Sequence, residues 1–195
     1  MPRVEPIARD TLADFEPFFA IVEQGMGFLP DSMLTMGHSP PLLQAFAGLS
    51  GTVLAGGKLD RGFKSLVSYV TSLAAGCRYC QAHTGHTAHK NGVEEAKIQA
   101  AFEYETSPLF DARERAALRV AHLAGLVPNA TEESHFEELR QHFDDEEIVE
   151  IVSVIALFGY LNRWNDTMAT TLEEAPRAFG SKVLAPGGWA AGKHD

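Results

Sequence analysis

From Leu59 to Ala75 the apolar residues Phe63, Leu66, Val67, Val70, Leu73 and Ala74 recur at spacings of three and four. That is the period of one helix face, and no stretch of comparable length alternates as a half-buried strand would. The same signal recurs elsewhere. Leu12, Phe15, Phe19 and Val22 predict a helix over 10–24 that runs into Gly25, Gly27 and Pro30, and His38-Ser39-Pro40-Pro41 starts another that carries Leu42, Leu43, Phe46 and Leu49 up to Gly56-Gly57. A short helix is expected over 93–102, then one capped by Asp111 that closes at Gly125 and Pro128. Asn129 with Glu132 predicts a start for a helix through Phe143, and Asp144 or Asp145 the start of a longer one to about Thr171. The expected fold class is all-α, a helical bundle. Residues 65–80 lie on 149–164 without a gap, pairing Val67 with Ile151, Val70 with Val154 and Leu73 with Leu157, so two helical repeats are one way to build it.

With 195 residues and 45% hydrophobic side chains, the chain is long enough for one domain with a substantial core. Its formal net charge of −10 disfavours phosphate backbones and anionic lipid surfaces, so neither nucleic acid nor membrane is an expected partner. The longest apolar run, Ile151 to Leu161, is too short to span a bilayer, and the opening MPRVEPIARDTL lacks an apolar core behind a basic start. A soluble, cytoplasmic protein is expected.

The two cysteines, Cys77 and Cys80, are too close to be the framework of a disulfide-rich secreted fold. Gly76 interrupts the preceding helix and Asn91-Gly92 is a good stop, so the pair sits at the start of a second helix. There the two-residue spacer lets the sulfurs meet, and the helix dipole favours a thiolate. Peroxide reduction needs this arrangement: one thiolate opens the O–O bond and becomes a sulfenic acid, and the second thiol condenses with it to a disulfide that a thiol reductant reopens. His83 stands one turn beyond Cys80, where its imidazole would exchange a proton with the sulfur; His86 and His89 drift around the helix, His89 towards a solvated face and His86 either to such a face or to a share in the relay. The plain alternative is two small thiols packed in a core. A rival chemistry is zinc held by both cysteines and two of these histidines, but structural zinc joins ligands from separate segments and these share one short helix, so no metal or cofactor is expected. His122 reads as a hydrogen-bonded core histidine, and the acidic runs at 132–133 and 144–147 as helix-start carboxylates. Asn162, Arg163, Asn165 and Asp166 crowd the end of an apolar helix and mark either a polar subunit contact or the lining of a site.

Pro30 with His38-Ser39-Pro40, the block SLAAGCRYCQAHT and the later ALFGYLNRWND resemble the carboxymuconolactone decarboxylase superfamily, in its alkylhydroperoxidase D-like, peroxidase-related branch. The resemblance runs from about Phe28 to Leu172, so residues 1–27 read as an N-terminal helical segment, 28–172 as the family domain and 173–195 as a C-terminal tail that ends the packed domain or reaches a neighbouring subunit. It implies an all-helical fold, homo-oligomers and a thiol peroxidase without haem, flavin or metal, in which Cys80 is the activated sulfur and Cys77 its disulfide partner. The family relay would put a glutamate at 65 and a histidine at 84, where this chain has Ser65 and Thr84. His83 is then the expected substitute, and with no acidic residue between Asp60 and Glu94 any relay carboxylate must come from elsewhere in the fold. A lactone decarboxylase, or a non-catalytic helical assembly whose cysteine pair is a redox-sensitive staple, are the alternatives.

Overall fold

The computed structural model describes residues 1–195 and is built of helices without a strand. In chain order these are α1 (Glu16–Met26), α2 (Asp31–Met36), α3 (Pro40–Ala55), α4 (Arg61–Ala75), α5 (Arg78–Lys90), α6 (Glu95–Gln99), α7 (Ala112–Gly125), α8 (Glu133–Leu139), α9 (Asp145–Met168) and α10 (Glu174–Phe179), with short 3₁₀ turns between and after them. No helix is long and apolar enough to cross a membrane.

The bundle is arranged around α4, which packs against α5, α7 and α9 and is buried at every residue from Gly62 to Ser72. Enclosure on all sides leaves its polar side chains without water, so they bond inward. Ser65, Ser68, Thr71 and Ser72 donate their hydroxyls to carbonyls three or four residues back in the same helix. Lys64, only 4% exposed, donates to the carbonyls of Val53 and Gly56 and pairs with Glu150 of α9 at 3.1 Å. The other bonds of the Glu150 carboxylate come from the backbone N–H groups of Lys58 at 2.6 Å and Leu59 at 3.2 Å. The turn between α3 and α4 thus wraps one carboxylate. Gly57 makes that possible: its φ is 90°, and a Cβ there would collide with the Glu150 carboxyl.

Asp111 and Asp144 begin α7 and α9 as expected, each in a capping box with the glutamate three residues on. Other boundaries differ from the sequence reading. The stretch 10–24 divides into a 3₁₀ segment over Arg9–Phe15, itself kinked where Leu12 leaves helical geometry (φ −115°, ψ 35°), and the helix α1. Asn129 does not cap α8; its Oδ1 accepts from Thr131 N–H, and Glu132 caps the shorter α8 with His135. The two segments aligned as a repeat pack against each other, but α9 runs unbroken through the position where Gly76 stops α4.

Leu12, Phe19, Met33, Met36, Leu43 and Phe46 form a second, smaller core that joins the bundle through Leu157 of α9. The segment 173–195, read from sequence as a tail, packs on the main core: Phe179, Val183, Leu184 and Trp189 are buried in it, and Leu172 N–H donates to the carbonyl of His194. Their apolar side chains are spaced irregularly over short turns, so no periodicity announced them.

Glu150→Ala should lower the unfolding free energy by about 3–5 kcal/mol, because it strands the buried Lys64 ammonium. Burial raises the Glu150 carboxyl, but the Lys58 and Leu59 N–H groups and Lys64 outweigh it and hold it below its ordinary 4.5. A group with a lowered folded-state pKa stabilises above its unfolded value and loses that contribution as pH falls through the folded one. Urea unfolding as a function of pH should therefore show wild-type stability falling below about pH 4.5, with a flatter acid limb in the variant; parallel limbs would remove Glu150 from this role.

Candidate functional site

Gly76 ends α4 in the left-handed conformation (φ 75°), turning the chain so that Cys77 becomes the N-cap of α5. Cys77 Sγ then accepts from the backbone N–H of Cys80 at 3.4 Å, in the place a serine or aspartate oxygen commonly takes. Both thiols are free and buried, 1% and 3% exposed. Cys80 Sγ accepts from Asn165 Nδ2 of α9 at 3.6 Å. The Cys80 thiol and backbone N–H hold Cys77 below its ordinary value, whereas burial, followed by the Cys77 sulfur, pushes Cys80 up. The resemblance assigned activation to Cys80; the hydrogen bonding at the helix start favours the thiolate on Cys77.

His83, expected beside the Cys80 sulfur, directs its Nε2 to Glu173 Oε2 at 2.5 Å, and its ring stacks on Tyr79 with centroids 4.2 Å apart. Tyr79 donates its hydroxyl to Glu173 Oε1 at 2.9 Å, and Asp31 N–H donates to the same oxygen at 2.7 Å. Glu173 is thus gripped by α2 and α5 at the head of α10. Burial raises its carboxyl, but the charge and hydrogen bond of His83 and the Asp31 N–H together hold it below the ordinary range. His83 thus meets a carboxylate that comes from 90 residues further along the chain. The two family relay positions are committed elsewhere: Ser65 Oγ donates to the Arg61 carbonyl and accepts from Asn91, and Thr84 Oγ1 donates to the Cys80 carbonyl.

Aromatic rings enclose this cluster. Phe28 meets His83 edge-on at 5.3 Å, His86 lies between Phe28 and Phe179, and Trp189 Nε1 donates to the Arg78 carbonyl in the first turn of α5. His89 is exposed, 3.9 Å from Glu95, and His122 meets the Tyr104 hydroxyl at 3.3 Å. Of the polar group at the end of α9, Asn165 lines the site, donating to the Cys80 sulfur and accepting from Thr170, while Asn162 is buried. Sequence reasoning missed Glu173, Tyr79 and His194. Tyr79 lies inside the cysteine motif and was there to be weighed; Glu173 and His194 stand in segments with no motif or periodicity.

The carboxymuconolactone decarboxylase family model matches residues 40–123, which contain α3 to α5 and the cysteine pair. Two structures of the debrominase Bmp8 are similar: the apo enzyme is 39% identical with a TM-score of 0.87, covering 92% of this chain and 97% of that one. The other, a cysteine-to-alanine variant in complex with 2,3,4-tribromopyrrole, is 38% identical at the same TM-score. The alkylhydroperoxidase core of a peroxidase-related protein from Ralstonia eutropha JMP134 is 27% identical with a TM-score of 0.74, over 84% of this chain and 87% of that one. Among curated relatives, the uncharacterized protein YnjA of Escherichia coli K12 is 29% identical over 110 residues, a match spanning 60% of that protein. With the family signature around its dithiol and near full-length similarity to solved helical relatives of this kind, the chain belongs to the carboxymuconolactone decarboxylase superfamily, in its alkylhydroperoxidase D-like branch.

Proposed function

We propose that the protein is a dithiol reductase that replaces a halogen on an electron-rich aromatic ring by hydrogen. Cys77 is the attacking sulfur, Cys80 closes the disulfide, and His83 with Glu173 supplies the proton. One observation carries the reading: a reduced, buried cysteine pair at a helix start, in a chain 39% identical over 92% of its length to a debrominase. Exchanging carbon–halogen for carbon–hydrogen is a two-electron reduction, which one dithiol can supply. A proton is added to the ring carbon, the Cys77 thiolate takes the halogen, and the carbon–halogen electron pair returns to the ring. Cys80 then displaces halide from the Cys77 sulfur. The balance is one aryl halide and two thiols to one arene, one disulfide, one halide ion and one proton, and an external thiol or dithiol protein reopens the disulfide.

Reduction of an organic hydroperoxide or hydrogen peroxide by the same pair is the second reading, favoured by the likeness to the peroxidase-related protein from Ralstonia eutropha. There the thiolate opens the O–O bond, an alcohol or water leaves, and the sulfenic acid condenses with the second thiol to give disulfide and water. Halogen removal is put first because the family's peroxidase relay positions are Ser65 and Thr84, both bonded to backbone. We also propose a homo-oligomer. Val149, Val152, Ala156 and Tyr160 form an outward stripe on α9, with Val149 64% exposed.

Reduced protein supplied with dithiothreitol should release bromide from a polybrominated pyrrole, followed by ion chromatography, and neither Cys77→Ser nor Cys80→Ser should turn over. Peroxide consumption without bromide would transfer the assignment to the second reading; neither reaction would leave the pair a redox staple. His83→Gln and Glu173→Gln should each slow bromide release by about 10²–10⁴-fold while diamide still closes the disulfide at the wild-type rate. Unchanged turnover in both would exclude this pair as the proton source. Light scattering should give a mass above 21.2 kDa, and that single-chain mass throughout a dilution series would reject the oligomer.

A further inference from the structure

Three residues from separate segments converge beside the dithiol. Cys77 Sγ at the start of α5, a carboxylate oxygen of Asp166 near the end of α9, and a ring nitrogen of His194 in the C-terminal turn all lie within 4.8 Å of one another. His194 is 1% exposed. Its Nδ1 faces the carbonyl of Thr170 at 2.8 Å, and because a carbonyl only accepts, the proton sits on Nδ1 and the lone pair on Nε2. That Nε2 is buried and has no hydrogen-bond partner; Asp166 Oδ1 stands 3.7 Å away, too far to serve as one. An acceptor left bare in the interior costs about 1–3 kcal/mol, so its aim needs a reason. The other Asp166 oxygen pairs with Lys193 at 2.8 Å, which leaves Oδ1 free.

The arrangement is not a catalytic relay. In a Cys-His-Asp relay the carboxylate holds one ring nitrogen and the other faces the thiol, so the three groups act in series. Here a carbonyl holds Nδ1, the carboxylate stands 3.7 Å from Nε2, and the thiol lies within 4.8 Å of the carboxylate and of a ring nitrogen. Groups that converge on one point, spaced too widely to bond each other directly, leave room for a single bridging atom. Thiolate, imidazole and carboxylate are zinc ligands, and zinc-bound distances of about 2.0–2.3 Å would draw these atoms together by a modest contraction. The carbonyl on Nδ1 is the usual outer support of a metal-bound histidine. Two negative ligands also balance a divalent charge in a buried place.

We propose that Cys77, Asp166 and His194 form a zinc-class divalent cation site with its fourth position open to water, and that occupation withdraws Cys77 from the dithiol. Binding transfers the Cys77 thiol proton to solvent and involves no electron transfer. The site goes beyond the dehalogenase reading and does not depend on it; only the effect on turnover rests on that reading.

Titration of the reduced full-length protein with zinc chloride by calorimetry should give one ion per chain. Cys80→Ser should keep that affinity, while His194→Gln and Asp166→Asn should each weaken it by about 10–100-fold. Cobalt(II) should give a sulfur-to-metal charge-transfer band that is lost in Cys77→Ser. Zinc should slow diamide oxidation of the dithiol in the wild type and not in Asp166→Asn, a partly exposed position that leaves the core intact should His194→Gln fail to fold. No stoichiometric binding, full affinity in Asp166→Asn, or loss of binding in Cys80→Ser, which would place the ion on the cysteine pair alone, each overturns the site. Oxidation unaffected by bound zinc overturns the masking of Cys77. Zinc binding in a protein that releases no halide counts against the dehalogenase reading and leaves the site standing.

Discussion

A helix enclosed on every side must settle its own polar groups, and that requirement on α4 shapes the rest of the molecule. Its hydroxyls can turn back to their own backbone, but the Lys64 ammonium cannot. It needs a carboxylate and carbonyls brought to it, and the turn after α3 together with Glu150 of α9 provides them. Removing either partner would leave a buried charge uncompensated, which costs more than the pair itself contributes. Anchoring α9 against α4 in this way also sets where the far end of α9 arrives, and Asn165 and Asp166 on that end reach the two cysteines.

The chemistry sits where α4 stops. Because Gly76 turns the chain, the first cysteine takes the capping position and the second the first turn of α5, so one backbone N–H serves as both helix cap and thiol ligand. A soft sulfur with a second thiol beside it is suited to electrophiles that yield a halogen or an oxygen atom, and the two readings above differ in that leaving atom rather than in the flow of electrons. What favours the first is that the family's relay positions, Ser65 and Thr84, are bonded to backbone, while His83 and Tyr79 of α5 are hydrogen-bonded to Glu173 from the head of α10.

The last twenty-three residues do more than their composition suggested. The segment after α9 delivers Glu173 to His83, Trp189 to the Arg78 carbonyl and His194 to the neighbourhood of Cys77. A chain shortened before Glu173 would retain the cysteine motif and lose the groups around it.

Local information in the sequence determined the helical class, the capped starts at Asp111 and Asp144, the break at Gly76 and the cysteine pair at a helix N-terminus. These follow from periodicity, capping chemistry and glycine's freedom, all of which act within a few residues. The same locality placed His83 near Cys80 by helix spacing, yet the partner that His83 bonds is Glu173, and no rule of spacing connects positions 90 residues apart. Only the tertiary structure decided which carboxylate meets which imidazole, that Cys77 Sγ accepts from the Cys80 N–H while Cys80 is bonded by Asn165, and that His194 points a bare nitrogen into the core. Those outcomes depend on burial and on contacts between distant segments, and desolvation is a property of the packed molecule that no segment carries alone.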